Sequence, residues 1–173
     1  VARRAYLTNS GELRSLICFS EYIGIILFHY LYCIMDICID FDGTCVSHEF
    51  PAIGKEIGAV PVLKALVEKG HNLILFTMRS DRKKKKKVDG VEIVVEENVL
   101  SEAVKWFEDN GIPLYGINKN PKQRFWTSSP KAYGHLYIDD ANLGCPLVYD
   151  DACERPYVDW KEIERMLLEK GVL

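Results

Sequence analysis

The sequence of 173 residues predicts an α/β fold built on a mostly parallel sheet. Three observations carry this. From Met35 onward, short apolar runs alternate with amphipathic stretches, the pattern of βαβ units. Glycines stand after the amphipathic stretches, at Gly70, Gly111 and Gly171, where helices end. Polar residues, aspartates above all, follow the apolar runs directly, and in open α/β sheets the active crevice lies beyond the carboxyl ends of the strands.

The elements follow in order. Ile37 to Phe41 is a short β-prone run closed by the turn signal Asp42-Gly43-Thr44. Ala59 to Lys69 places Val62, Leu63, Leu66 and Val67 on one helical face. Asn72 to Thr77 reads as a buried strand, and Val91 to Val95 as a small extra one after the polar, basic stretch Arg79 to Gly90. Val99 to Asn110 is an amphipathic helix with Val99, Leu100, Ala103, Val104 and Phe107 inward. Leu114 to Ile117 and His135 to Ile138 are further strands, and Leu147 to Tyr149 a candidate fifth. Asp159 caps a last helix through Lys170, with Ile163, Met166 and Leu167 inward.

Composition narrows the class. Hydrophobic residues make up 48% and charged residues 27%, which disfavours disorder and pure coiled coil and supports one globular domain. The net charge of −3 is too balanced for a dedicated nucleic-acid or anionic-membrane binder. Six cysteines form no C-x-x-C pair and no zinc spacing, so reduced thiols in a cytoplasmic protein are expected. Leu16 to Met35 is mostly apolar, yet Glu21 and His29 would be costly in lipid and no small-residue cleavage site follows. Residues 1–34 are therefore expected to be a dispensable apolar extension without stable membrane association, and residues 35–173 the working domain.

The polar residues at the strand ends point to one chemistry. The first strand delivers Asp40 and Asp42, the second Thr77, and a later one Asp139 and Asp140, with Lys131 shortly before. Alternation puts Asp40 and Asp42 on one side if the strand stays extended. Four carboxylates in one crevice repel unless a hard cation neutralises them, and oxygen donors without thiolate or imidazole favour Mg²⁺ over zinc. A carboxylate beside such a cation can attack phosphorus, giving an aspartyl-phosphate that water hydrolyses. Asp42 would serve as acid and base, Thr77 would hold phosphate oxygens, Lys131 would offset charge, and Gly43 would permit a sharp turn near the phosphate. Arg79 stands near the site by its proximity to Thr77.

These residues resemble the haloacid dehalogenase superfamily. Asp40-Phe41-Asp42-Gly43-Thr44 is similar to its first motif, Thr77 after an apolar strand to its second, Lys131 to its third, and Ile138-Asp139-Asp140 to its fourth, in the same order. The stretch Ile117-Asn118-Lys119-Asn120-Pro121 is similar to small members without a large cap. The resemblance implies a three-layer sandwich with a Rossmann-like sheet and helices on both faces. It implies Asp40 as nucleophile and Asp42 as acid and base. Mg²⁺ would be held by Asp40, by the backbone carbonyl of Asp42 and by Asp139, with Asp140 ligating directly or through water. Gly43, Thr44, Thr77, Met78 and Arg79 are the candidate phosphate-binding residues. The short spacings between the motifs leave no room for a cap, and 82–97 reads as an insertion that could serve as a flap.

The expected function is a Mg²⁺-dependent phosphomonoester hydrolase acting on a phosphorylated small molecule. Two alternatives stand beside it. A phospho-receiver-like regulatory module also gathers aspartates, Thr and Lys on a parallel sheet, but places its paired acids early in the chain, whereas here the Asp-Asp pair comes last. A nucleic-acid end phosphatase is suggested by Lys83 to Lys87, a run that reads more simply as a solvated loop. His48 and Glu49 read as exposed loop, and Trp106, Trp126 and Trp160 as packing residues. No glycine-rich dinucleotide or P-loop motif is present. The substrate and oligomeric state are not encoded in these motifs.

Overall fold

A computed structural model describes residues 34–88 and 91–173. The N-terminal extension expected at 1–34 lies outside them apart from Ile34, as do Cys18 and Cys33. Four strands make a parallel sheet: β1 (Asp36–Ile39), β2 (Asn72–Leu75), β5 (Gly116–Ile117) and β6 (Leu136–Ile138), in the order β5-β2-β1-β6. The chain therefore builds outward from β1 first on one side, through β2 to β5, and then on the other through β6. Such a reversal of strand order opens a crevice at the carboxyl ends of the two strands that flank it, here β1 and β6.

Among the described residues three α-helices complete the α/β fold: α1 (Ala59–Glu68), α2 (Val99–Asp109) and α3 (Trp160–Glu169). Asp159 caps α3 as expected, accepting from the N–H groups of Lys161 and Glu162. Alternation along the strands sorts the core. Ile37, Ile39, Leu73 and Leu75 join the main cluster with Leu63 and Leu66 of α1, Phe107 of α2, and Ile163 and Leu167 of α3. Cys38 and Ile74 point into a second, smaller cluster with Ala132, Phe76, Tyr115 and Tyr137, which contains no helix residue. The expected helices are thus found in one of the two clusters among the described residues.

Three elements differ from expectation. The first strand ends at Ile39, not Phe41, because the chain bends there and Phe41 turns into the core, fully buried against the rings of Trp106 and Phe107 at 5.6 and 6.0 Å. Leu147–Val148 (β7) does not extend the main sheet. It pairs with Tyr157–Val158 (β8) in a separate antiparallel ribbon. The lysine run is no loop: Arg82–Val88 (β3) and Val91–Glu97 (β4) form an antiparallel hairpin, in which Lys83 pairs with Glu96 and Lys84 with Glu97, each at 2.7 Å. Lys83 stands directly opposite Glu96 in the ladder, and Lys84, opposite Val95, reaches Glu97 diagonally. Among the described residues no helix is long and apolar enough to cross a membrane, and Cys38, Cys45, Cys145 and Cys153 are free thiols.

Candidate active site

The crevice predicted by topology is where the acids meet. Asp40 follows β1 and still donates its N–H to the Ile138 carbonyl of β6 at 3.0 Å, so the ends of the two strands are tied together. Asp139 and Asp140 follow β6 directly. Carboxylate oxygens of Asp40, Asp139 and Asp140 all lie within 4.8 Å of one another. Burial pushes the Asp40 carboxyl up to about 7, and the neighbouring charges of Asp139, Asp140 and Asp42 add to the rise against a lowering backbone hydrogen bond at Phe41. Crowded carboxylates of this kind, with oxygen donors only, are the donor set of a hard divalent cation. The three residues fit such an ion.

The acids are fixed from behind. Asp140 donates its N–H to the Thr44 hydroxyl at 3.0 Å and pairs with His48 Nε2 at 3.0 Å. Asp139 Oδ1 accepts from the Ala141 N–H at 2.8 Å, which leaves its other oxygen directed elsewhere. Gly43 is indispensable to this packing: its φ is +79°, and a Cβ there would fall 2.0 Å from His48 Nε2. The turn itself rests on the C-terminal part of the chain. Val158 donates to the Gly43 carbonyl at 2.9 Å, and the Trp160 indole N–H to the Thr44 carbonyl at 2.6 Å.

Asp42 occupies a different environment from Asp40. Both of its oxygens accept from Arg79, Oδ2 from Nε at 2.8 Å and Oδ1 from Nη2 at 2.6 Å. Thr77, at the end of β2, accepts the Arg79 backbone N–H at 3.2 Å through its hydroxyl oxygen, so the hydroxyl hydrogen is directed to other acceptors. Its own N–H is held by Asn118 Oδ1 at 2.8 Å.

No protein-family model and no curated protein matches the chain. A solved structure does: the conserved protein coded by a locus from Bacteroides thetaiotaomicron is 34% identical, with a TM-score of 0.57 over 79% of this chain and 92% of that one. The chain belongs to the family of that conserved protein. The likeness supports the α/β fold, and the description of the Bacteroides protein names no activity.

In this member of the Bacteroides protein's family, several expected site residues have surroundings that the sequence did not indicate. The five N–H donors of Arg79 are consumed by Asp42 and by the carbonyls of Pro51 (3.1 Å), Val99 (3.3 Å) and Ala52 (2.7 Å), and the residue is 2% exposed. Thr44 is fully buried and holds Asp140 in place, while the Gly43 N–H is spent on the Val46 carbonyl at 2.7 Å. The Asp42 carboxylate stays outside the three-acid cluster because Arg79 holds it. Lys131 is exposed, with its ammonium 5.5 Å from the Tyr137 ring centroid, and it forms no ion pair with the aspartates among the described residues. Met78 is 95% exposed, with its side chain on a cleft beside the site.

Two residues to which the sequence assigned no role in the site join it. His48 was read as exposed loop, yet its side chain is only 13% exposed and braces Asp140. Asn118 follows β5 at φ 51° and anchors Thr77. Its position just after a strand was the available signal.

Proposed function

We propose that the protein is a Mg²⁺-dependent phosphomonoester hydrolase of the haloacid dehalogenase type. The observation that carries the reading is Asp40 at the β1 end, within 4.8 Å of Asp139 and Asp140, with Asp42 two residues on in a separate, arginine-bound environment. Two carboxylates held in unlike surroundings suit two unlike tasks. Asp40 attacks phosphorus, the bond to the ester oxygen breaks, and an aspartyl-phosphate forms. Water then attacks that phosphorus and restores the carboxylate.

Asp40, Asp139 and Asp140, with the Asp42 carbonyl, would hold Mg²⁺, which would supply charge neutralisation at the phosphoryl oxygens. Asp42 donates its proton to the leaving oxygen in the first step and takes one back from the attacking water in the second. Its bidentate bond to Arg79 sets its orientation, and it accepts that proton when one oxygen turns toward the phosphate. The Thr77 hydroxyl hydrogen donates to a phosphoryl oxygen, with Asn118 fixing its backbone. The fold belonging to this reading is a three-layer sandwich with a Rossmann-like sheet and helices on both faces. The substrate class is a phosphorylated small molecule, and the compartment is the cytoplasm. The nucleic-acid reading loses support from the pairing of Lys83 and Lys84 with glutamates.

Release of p-nitrophenol from p-nitrophenyl phosphate tests the proposal. Sustained turnover with Mg²⁺, lost in EDTA and in Asp40→Asn, is expected. A single stoichiometric phosphorylation without turnover would identify a receiver-like module instead.

A further inference from the structure

A cleft of about 670 Å³ opens beside the site, with an apolar part formed by Phe50, Pro51, Ala52, Met78 and Val99 and a polar, charged remainder that includes Arg82 and Glu102. Its size lies within the range of small-molecule sites, about 300–1,000 Å³. Pro51 and Ala52, which line it, hold Arg79 through their carbonyl oxygens. The same guanidinium holds Asp42. The cleft is therefore on the Asp42 side of the site, the side from which a leaving group is protonated in the proposed reaction.

Its lining has a definite chemistry. One face of the Phe50 ring lies over Arg79, 5.3 Å from Cζ, which locks the ring in place, while the residue as a whole remains 63% exposed. Met78 follows Thr77 and is 95% exposed. An aromatic ring stacked on one face and open on the other, beside an unburied thioether, is a platform for a flat apolar partner. Both side chains are apolar surface left to water unless something covers them.

We infer that this cleft binds a planar aromatic group carried by the phosphate ester, seated on Phe50 and flanked by Met78. The inference rests on the phosphatase reading and deepens it by naming the leaving-group class. Two sources share this chemistry, a phenolic leaving group and the base of a nucleoside monophosphate.

The test uses the full chain with Mg²⁺ and compares kcat/KM for phenyl phosphate and adenosine 5′-monophosphate with that for glycerol phosphate. At least one aromatic ester should be preferred by about tenfold, the worth of one good aromatic contact, and whichever is preferred names the source. Met78→Ala and Phe50→Ala should each cut the aromatic-to-glycerol ratio several-fold. The ratio is the readout because any disturbance of Arg79 lowers both esters together. Binding of phenylphosphonate against methylphosphonate, followed by calorimetry, provides an arm independent of turnover. Tighter binding of the phenyl compound, weakened in both variants, supports the cleft even where no ester is hydrolysed, a result that would sink the phosphatase reading alone. Equal binding of the two phosphonates, or a preference untouched by either variant, overturns the inference.

Discussion

Asp40 carries a charge that the fold resists, and Asp40→Asn measures that resistance. Its carboxyl rises from 3.8 to about 7, chiefly through burial and then through Asp139, Asp140 and Asp42. A raised carboxyl binds its proton more tightly in the folded than in the unfolded chain. The metal-free protein therefore loses stability as pH climbs from about 4 to about 7, and bears the full cost above that. At ~1.36 kcal/mol per pH unit, the cost is about 4 kcal/mol. Asn removes the charge and keeps the shape, so Asp40→Asn in EDTA should melt higher than wild type at about pH 8, with the gain vanishing near pH 4. A gain of about 8–16 °C is expected for a domain of this size. Mg²⁺ acts in the opposite sense. It should raise the wild-type Tm more at about pH 8 than at pH 5, because the ligands must be deprotonated, and should barely move the variant. Thermal unfolding by circular dichroism, with and without Mg²⁺, reads all of this. A variant less stable than wild type at every pH, or a Mg²⁺ effect of equal size in both proteins, would refute the reasoning.

Two further substitutions probe the supports. Arg79→Lys removes the bidentate contact with Asp42 and leaves up to three carbonyls without donors; urea unfolding should show a loss of about 3–5 kcal/mol, and kcat should fall in the surviving protein because Asp42 is no longer oriented. Gly43→Ala places a Cβ within 2.0 Å of the His48 ring at a φ of +79°; displacement of His48 from Asp140 should weaken Mg²⁺ affinity tenfold or more by calorimetry, as loss of outer-shell partners does, at a stability cost of about 1–3 kcal/mol.

Much of the frame was legible because it depends on local pattern. The apolar runs at Ile37 and Leu73 and the amphipathic stretches before Gly70 and Gly111 depend on spacing alone, and polar residues after strands mark a crevice by topology. What escaped depends on contacts distant in sequence. Strand alternation set Asp40 and Asp42 side by side, but burial of Phe41 against Trp106 and Phe107 bends the chain between them and gives each acid its own surroundings. Arg79 stands two residues from Thr77, and nothing local reveals that carbonyls 20 to 28 positions away take up its remaining donors. The lysine run reads as a loop because the strand that pairs with it, with Glu96 and Glu97, lies across a hairpin turn.

The cationic side chains around the crevice also explain why the three acids point to an ion from solution. Arg79 is consumed by Asp42 and backbone carbonyls, Lys131 lies on the Tyr137 ring, and His48 meets Asp140 alone. Among the described residues no lysine or arginine pairs with Asp40 or Asp139. Crowded, half-buried acids without a cationic partner carry a repulsion that costs free energy. The nearest guanidinium is committed to Asp42, so in the proposed hydrolase a dication would relieve the repulsion among Asp40, Asp139 and Asp140. That same repulsion makes the site's affinity rise with pH, and it ties metal binding to stability closely enough for the melting experiment to detect.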